Sequence, residues 1–279
     1  MEAQVVVVTG CSSGIGRATA LEAARRGHRV FATARRREDL DDLARLDRIF
    51  PLSLDVTDAA TIMAAVEGVL AQAGRLDTLV NNAGFGQYGA VEDVSPAQWR
   101  RQFDVNFFGA IEAIRAVLPA MRRARRGTIV NVSSVAGKLS IPFAAPYCAS
   151  KHALEALSDA LRVELAPFGI RVVVVEPGPI LTSFEERARA DVAGVMARPG
   201  PYSAFYPAAE RAMDTDFKKG QLPPEAVARV ILDAIESPNP RTRYRVGSMA
   251  KVLLPLRRLL PDRFFDRRMK KVLHLPNRA

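Results

Sequence analysis

The chain has 279 residues, 48% of them hydrophobic and 25% charged, with mean hydropathy close to zero; this suits one sizeable soluble α/β core. Its net charge of +10 is local: residues 241–279 hold nine arginines and three lysines against Asp262 and Asp266, whereas the residues before them hold 28 bases and 28 acids. A neutral body excludes a protein that wraps nucleic acid over its main surface.

The N-terminus runs straight into Val5-Val6-Val7-Val8 with no basic stretch or cleavage motif before it, so no signal peptide is expected. Short β-branched runs at 4–9, 29–33, 48–54, 78–81, 128–132 and 171–176 then alternate with amphipathic stretches at 15–26, 59–73, 99–123 and 147–166. A further helix at 223–235 and strand at 243–246 follow. Continuous apolar runs such as VVVV and RVVVVE suit strands buried on both faces, and the βα alternation predicts a doubly wound, mostly parallel, seven-stranded sheet with helices on both faces. Residues 1–248 are expected to form a single catalytic domain, with 249–279 a tail. Cys11 and Cys148 have neither CxxC nor metal-ligand spacing, so no disulfide framework and no metal site are expected, and the default setting is a reducing cytoplasm. No uncharged apolar run reaches the ~18 residues of a spanning helix.

The first strand ends in Thr9-Gly10-Cys11-Ser12-Ser13-Gly14-Ile15-Gly16, where a helix begins. Glycines here let the backbone turn tightly and approach a pyrophosphate at the helix N-terminus. Without a ligand the segment is only a glycine-rich turn, but its place at the head of a βαβ unit favours a dinucleotide. The second strand ends without the acid that would take a ribose 2′-hydroxyl and runs into Arg35-Arg36-Arg37. A guanidinium matches a 2′-phosphate, so NADP(H) is expected over NAD(H), with Arg35 the main contact. Asp55 and Asn82 close the third and fourth strands, as nucleotide contacts or as turn and bridging residues.

Tyr147-Cys148-Ala149-Ser150-Lys151 puts a phenol and an ammonium four residues apart on one helical face. A free tyrosine titrates near pH ~10, and a neighbouring cation would lower that value toward useful general acid/base chemistry. Ser134 lies 13 residues earlier, at the mouth of the fifth strand, where its hydroxyl can hold a substrate oxygen. Asn106 falls inside a long helical stretch, where its amide must find partners: a water relay to Lys151 or a helix–helix hydrogen bond.

Taken together, TGCSSGIG at 9–16, NNAG at 81–84, Asn106, SSVAG at 133–137, YCASK at 147–151 and PGPILT at 177–182 resemble the short-chain dehydrogenase/reductase family, over roughly residues 4–185. The turn and the following ATARR look most like 17β-hydroxysteroid and retinol dehydrogenase-like members. The resemblance implies a Rossmann-type fold and hydride transfer between NADP(H) and a carbonyl or alcohol carbon. It implies that Tyr147 is the general acid/base, Lys151 lowers its pKa and binds the nicotinamide ribose, Ser134 (rather than Ser133) holds the substrate oxygen, and Asn106 positions a relay water. Gly10, Ser12, Ser13, Gly14, Ile15 and Gly16 would line the pyrophosphate, with Ser13 near the 2′-phosphate beside Arg35. Asp55 would sit by the adenine, Asn82 by the ribose and Thr182 by the carboxamide, with Val56, Ala83, Gly84, Pro177, Gly178 and Ile180 as further cofactor contacts. Homodimers or homotetramers built on 99–123 and 147–166 are implied as well.

Residues 183–222, with Phe184, Tyr202, Phe205, Tyr206, Phe217, Met196 and Met213, are expected to cover a lipophilic ketone or alcohol. In the tail, Leu253, Leu254, Leu256, Leu259, Leu260, Phe264, Phe265, Met269, Val272 and Leu273 interleave with bases. Such a basic amphipathic segment, centred on 251–273, either caps the site or a subunit interface, or contacts a membrane surface. A non-catalytic NADP(H) sensor or scaffold, and an NAD(H)-preferring dehydrogenase of the same fold, are the rival functions.

Overall fold

The computed structural model describes residues 2–182, 184, 194–196, 199–212, 220–273 and 275, apart from the Arg258 side chain. Strands β1 (Val5–Val8), β2 (Arg29–Ala34), β3 (Ile49–Ser53), β4 (Thr78–Asn81), β5 (Gly127–Val132), β6 (Ile170–Pro177) and β7 (Arg243–Val246) form one sheet in the order β3-β2-β1-β4-β5-β6-β7. All six pairings are parallel. Around it lie α1 (Gly14–Arg25), α2 (Ala59–Ala73), α3 (Pro96–Phe103), α4 (Gly109–Ala124), α5 (Ala145–Glu164), α6 (Tyr206–Ala212), α7 (Pro224–Glu236), α8 (Ser248–Leu259) and α9 (Asp262–Val272).

The valine run of β1 shows why the strands read as unbroken apolar stretches. Side chains alternate across a strand, so Val6 and Val8 enter the core shared with Ile231, Leu232 and Ile235 of α7. Val5 and Val7 enter the opposite core with Ile62 and Val66 of α2 and Ile114 and Val117 of α4. Burying each such side chain contributes about 1.5–3 kcal/mol. The chain winds from β1 outward to β3, returns to β4 and continues the other way, so the order reverses between β1 and β4. A crevice forms above the carboxyl ends of the strands at such a point.

The expected helix at 99–123 is a composite. It starts earlier, at Pro96, behind a capping box in which Ser95 and Gln98 exchange hydrogen bonds. Residues Asp104–Phe108 form a π-helical turn, with the Gly109 N–H reaching back to the Asp104 carbonyl, before α4 resumes. Gly109 follows immediately because a Cβ there would lie 2.7 Å from the Val56 carbonyl oxygen. The expected helix start at Tyr147 also moves: α5 begins at Ala145, so Tyr147 lies within its first turn. Phe217 and Met213 of the expected substrate cover lie outside the described residues.

Candidate active site

A cleft of about 600 Å³ opens over the carboxyl ends of the central strands. Its lining includes Gly10, Ser12, Ser13, Gly14, Ile15, Arg35, Asp55, Val56, Asn82, Ala83, Gly84, Ser134, Tyr147, Lys151, Pro177, Gly178, Ile180 and Thr182. The structure thus brings together every expected site residue except Gly16 and Asn106, which stand behind the wall.

At the first turn, Gly10 has φ +74° and Gly14 φ +58°, backbone conformations that favour glycine. Gly16 serves packing instead: a Cβ there would lie 2.3 Å from the Gly10 carbonyl oxygen and 2.4 Å from Asn82 Nδ2. The Asn82 amide donates to the carbonyls of Thr9 (2.9 Å) and Gly10 (3.2 Å), so it ties the end of β4 to the turn. Helix α1 has no acid in its first turn, and Gly14 and Ile15 at its start line the cleft. The three arginines after β2 now separate. Arg36 pairs with Asp39 and Arg37 with Asp41, whereas Arg35 makes no ion pair among the described residues and lines the cleft. Asp55 accepts hydrogen bonds from the Thr57 N–H and hydroxyl, which fixes the turn after β3.

Ser134 follows β5, caps a short 3₁₀ turn by accepting from the Ala136 N–H at 3.1 Å, and shares a hydrogen bond with the Tyr147 phenol. Ser133 is buried with no partner for its hydroxyl among the described residues, and that hydroxyl packs against Gly137. Lys151 is buried, donates to the Val132 carbonyl at 2.8 Å, and its Nζ stands 5.9 Å from the centre of the Tyr147 ring. Burial pushes its pKa down to about 8, opposed by the charge of Glu155. For the Tyr147 phenol of the protein alone, burial is the largest influence. Burial pushes the phenol up to about 12, and the Ser134 hydrogen bond opposes that rise. The hydroxyl therefore holds its proton firmly at neutral pH.

Asn106 occupies the π turn. Its amide donates to the Phe85 carbonyl at 2.9 Å and accepts from the Phe85 N–H at 3.0 Å, with Ser150 Oγ at 3.5 Å. Its side chain thus clamps the loop after β4 and also makes the expected helix–helix hydrogen bond, a long one, to Ser150 of α5.

A short chain dehydrogenase family model matches residues 4–193. The chain is 34% identical over 253 residues to a 3-ketodihydrosphingosine reductase of Bacteroides thetaiotaomicron, covering 91% of each chain. It is 35% identical over 269 residues to an NADPH-dependent 3-dehydrocapnine reductase of Ornithobacterium rhinotracheale, covering 94% of each. A solved short-chain dehydrogenase from Streptomyces avermitilis superposes with a TM-score of 0.80 at 36% identity, covering 98% of both chains. The chain is a short-chain dehydrogenase/reductase. Solved structures similar to it include both NAD and NADPH complexes.

At its substrate end, this short-chain dehydrogenase/reductase has a wall that the sequence left largely unassigned. Phe85, Tyr88, Ile141, Phe143, Ala209 and Leu273 join Phe184 and Met196 there. Tyr88 and Phe184 flank the Tyr147 ring, with centroids 6.3 and 5.6 Å away. Tyr206 is buried beneath, where its hydroxyl bonds to Asp93 and accepts from the Ala90 N–H. Phe85 and Tyr88 follow directly on the NNAG turn at a strand's carboxyl end, a position that could have nominated them. Leu273 sits at the end of the tail and is buried against Ala209, Phe143 and Val272.

Proposed function

We propose that this short-chain oxidoreductase uses NADP(H) to reduce a lipophilic ketone. The observation that carries the cofactor preference is Arg35: a guanidinium at the cleft with no ion pair among the described residues, where an acid would repel a 2′-phosphate. The glycine turn and the α1 N-terminus suit a pyrophosphate, and Gly10, Gly14, Asp55, Asn82 and Thr182 would hold the remaining length of the nucleotide. The apolar far wall supports a lipophilic substrate. The reductase names of the two relatives, one acting on 3-ketodihydrosphingosine and one NADPH-dependent, favour the reductive direction.

When bound, NADPH supplies the hydride. The chain's own residues manage the oxygen. The Ser134 and Tyr147 hydroxyls hold the substrate carbonyl oxygen from one side, and Tyr147 donates its proton to that oxygen as negative charge develops. A phenol pushed up to about 12 is fully protonated at neutral pH and serves as the acid of reduction. Lys151 supports the loss of that proton by placing positive charge one helical turn away. Asn106 acts at one remove, by fixing the Phe85 loop that lines the wall. Exposed Phe108 and Val163, on the long helical stretches flanking the cleft, support association of copies through that face.

Incubating the protein with NADPH or NADH and a panel of aliphatic, steroidal and long-chain ketones, and following the reduced-nicotinamide absorbance band, tests the proposal. Apolar ketones are expected to be reduced faster with NADPH than with NADH. No oxidation of either nucleotide with any ketone would overturn it.

A further inference from the structure

The tail contains two helices with exposed apolar side chains on their outward faces. On α8, Ala250 and Leu254 are buried against Val135 and Leu139, just beyond the catalytic-loop serine. Val252, Leu256 and Leu259 recur at i, i+4 and i+7 on the opposite side of the same helix and are exposed, Leu259 to 80%. On α9 no residue is buried. Phe264 is 49% exposed, and Arg267, Arg268 and Lys271 share its face at i+3, i+4 and i+7. Exposed leucines scattered singly are ordinary, whereas an apolar stripe rimmed by one sign of charge marks an interaction surface.

The charges of the tail also bear on that surface. In the body, Arg17, Arg26, Arg75 and Arg243 are each held by carboxylates. In the tail, Arg257 pairs with Asp262 at 2.5 Å, but Lys251, Arg263, Arg267, Arg268 and Lys271 make no ion pair among the described residues. Five bases of the tail are therefore without an ion pair among the described residues, and Arg267, Arg268 and Lys271 share the face of Phe264. The surface that complements both features is one with negative headgroups above an apolar interior.

We propose that α8 and α9 dock this enzyme on an anionic membrane surface, with Val252, Leu256, Leu259 and Phe264 entering the interface and the surrounding bases meeting the headgroups. The position of the tail gives the docking a use. Its first helix packs on Val135 and its end buries Leu273, and both residues line the cleft. The docked face therefore lies at the rim through which a ketone enters, so a lipophilic substrate can pass from the bilayer to the cleft without crossing water. This second step rests on the lipophilic-ketone reading; the docking itself does not.

Co-sedimentation of the full chain with vesicles of phosphatidylcholine, alone or mixed with phosphatidylglycerol, tests the docking. Partitioning is expected to be roughly ten-fold or more stronger on the mixed vesicles and to weaken with added salt. Val252→Ser with Leu259→Ser keeps the charge and is expected to cut binding roughly ten-fold by removing inserted apolar area. Arg267→Gln with Arg268→Gln is expected to reduce it by a similar factor. Equal partitioning onto neutral and mixed vesicles would overturn the proposal. So would unchanged binding of the double serine variant, which would mark adsorption by charge alone. A self-association that Leu259→Ser dissolves, without vesicle binding, would assign the stripe to a second copy and also overturn it. Turnover of a water-soluble ketone in vesicle-free buffer is expected to be unchanged in all these variants. Its absence in the unaltered protein would count against the proposed reaction, separately from the docking.

Discussion

The nucleotide end of the cleft is made of strand termini and the turns that leave them, whereas its substrate end is assembled from segments far apart in the chain. Gly10, Asn82, Ser134 and Gly178 each lie within two residues of a strand's end, and the parallel sheet brings them together whatever the loops do. Phe85, Phe143, Ala209 and Leu273 meet only because a π-turn amide, a left-handed residue at Phe143 (φ +63°), a short helix and the C-terminal tail converge. The difference teaches that one fold can hold its chemistry fixed while its substrate wall is set by pieces under separate control. Substitutions at the two ends should then break different quantities.

The largest effect is expected at Tyr147. Tyr147→Phe keeps the ring between Tyr88 and Phe184 but removes the only proton it can give, and turnover should fall by on the order of 10³ or more. NADPH affinity, measured by fluorescence titration, should stay nearly unchanged. A variant that retains a tenth of its turnover would remove Tyr147 from the acid's role.

Lys151 couples activity to stability. Its folded pKa is depressed from 10.5 to about 8 by burial, so the charged form destabilises the native state. That cost is fully present below about pH 8 and is relieved as pH rises from 8 toward 10.5. Tyr147 works in the opposite sense: its raised pKa contributes stability below pH 10 that is lost as pH climbs from 10 to 12. Lys151→Met should therefore lower turnover about 10²-fold while stabilising the free protein at pH 7 by up to about 3 kcal/mol. The Val132 carbonyl, losing its donor, offsets part of this gain. The stability difference from urea melts should shrink toward nothing near pH 10.5; a difference that grows with pH would refute the burial account.

Gly16 tests the packing of the nucleotide turn without touching its lining. In Gly16→Ala the new methyl must displace the Gly10 carbonyl and the Asn82 amide, backbone and hydrogen-bonded groups with little freedom to move. Strain of about 1–3 kcal/mol is expected, read as a lower melting temperature and NADPH binding weakened roughly ten-fold. An unchanged affinity would show that the turn is looser than its contacts indicate.

How much of this was legible in the sequence follows the same division. The β1 valines, the glycine turn, Asn82, Ser134, Tyr147 and Lys151 are local patterns tied to strand ends, so strand order and cleft lining could be read together. The π turn at Asn106 could not, because its hydrophobic period matches an ordinary helix and its cause, the clamp on Phe85, is a long-range contact. The burial of Tyr147 could not be read either, for a related reason. The spacing to Lys151 announces a cation, but burial by Tyr88, Phe184 and the surrounding loops is a tertiary property. The triple arginine was ambiguous until Asp39 and Asp41 claimed two of its members.

Arg35 is accordingly the next probe. Arg35→Ala should lower kcat/KM with NADPH by roughly ten-fold, the loss of one charge-assisted contact, and leave NADH nearly unaffected. Arg36→Ala and Arg37→Ala should do much less, since each only releases an exposed ion pair. Equal losses with both nucleotides would end the case for 2′-phosphate recognition.

The smallest effect, and the sharpest on the comparison, is expected at Leu273. It lies at the far end of the chain yet is buried against Phe143 and Ala209 on the substrate wall. Leu273→Ala widens that wall without reaching Ser134, Tyr147 or the glycine turn. Lost packing should raise KM for a bulky apolar ketone by a few-fold, about 1 kcal/mol, while KM for NADPH and kcat for a small ketone stay the same. A parallel fall in kcat for every ketone would mean that the tail positions the reacting groups themselves, and the two ends of the cleft would then not be separable. A change confined to the large ketone would make the tail a specificity element, set by residues that the sheet does not control.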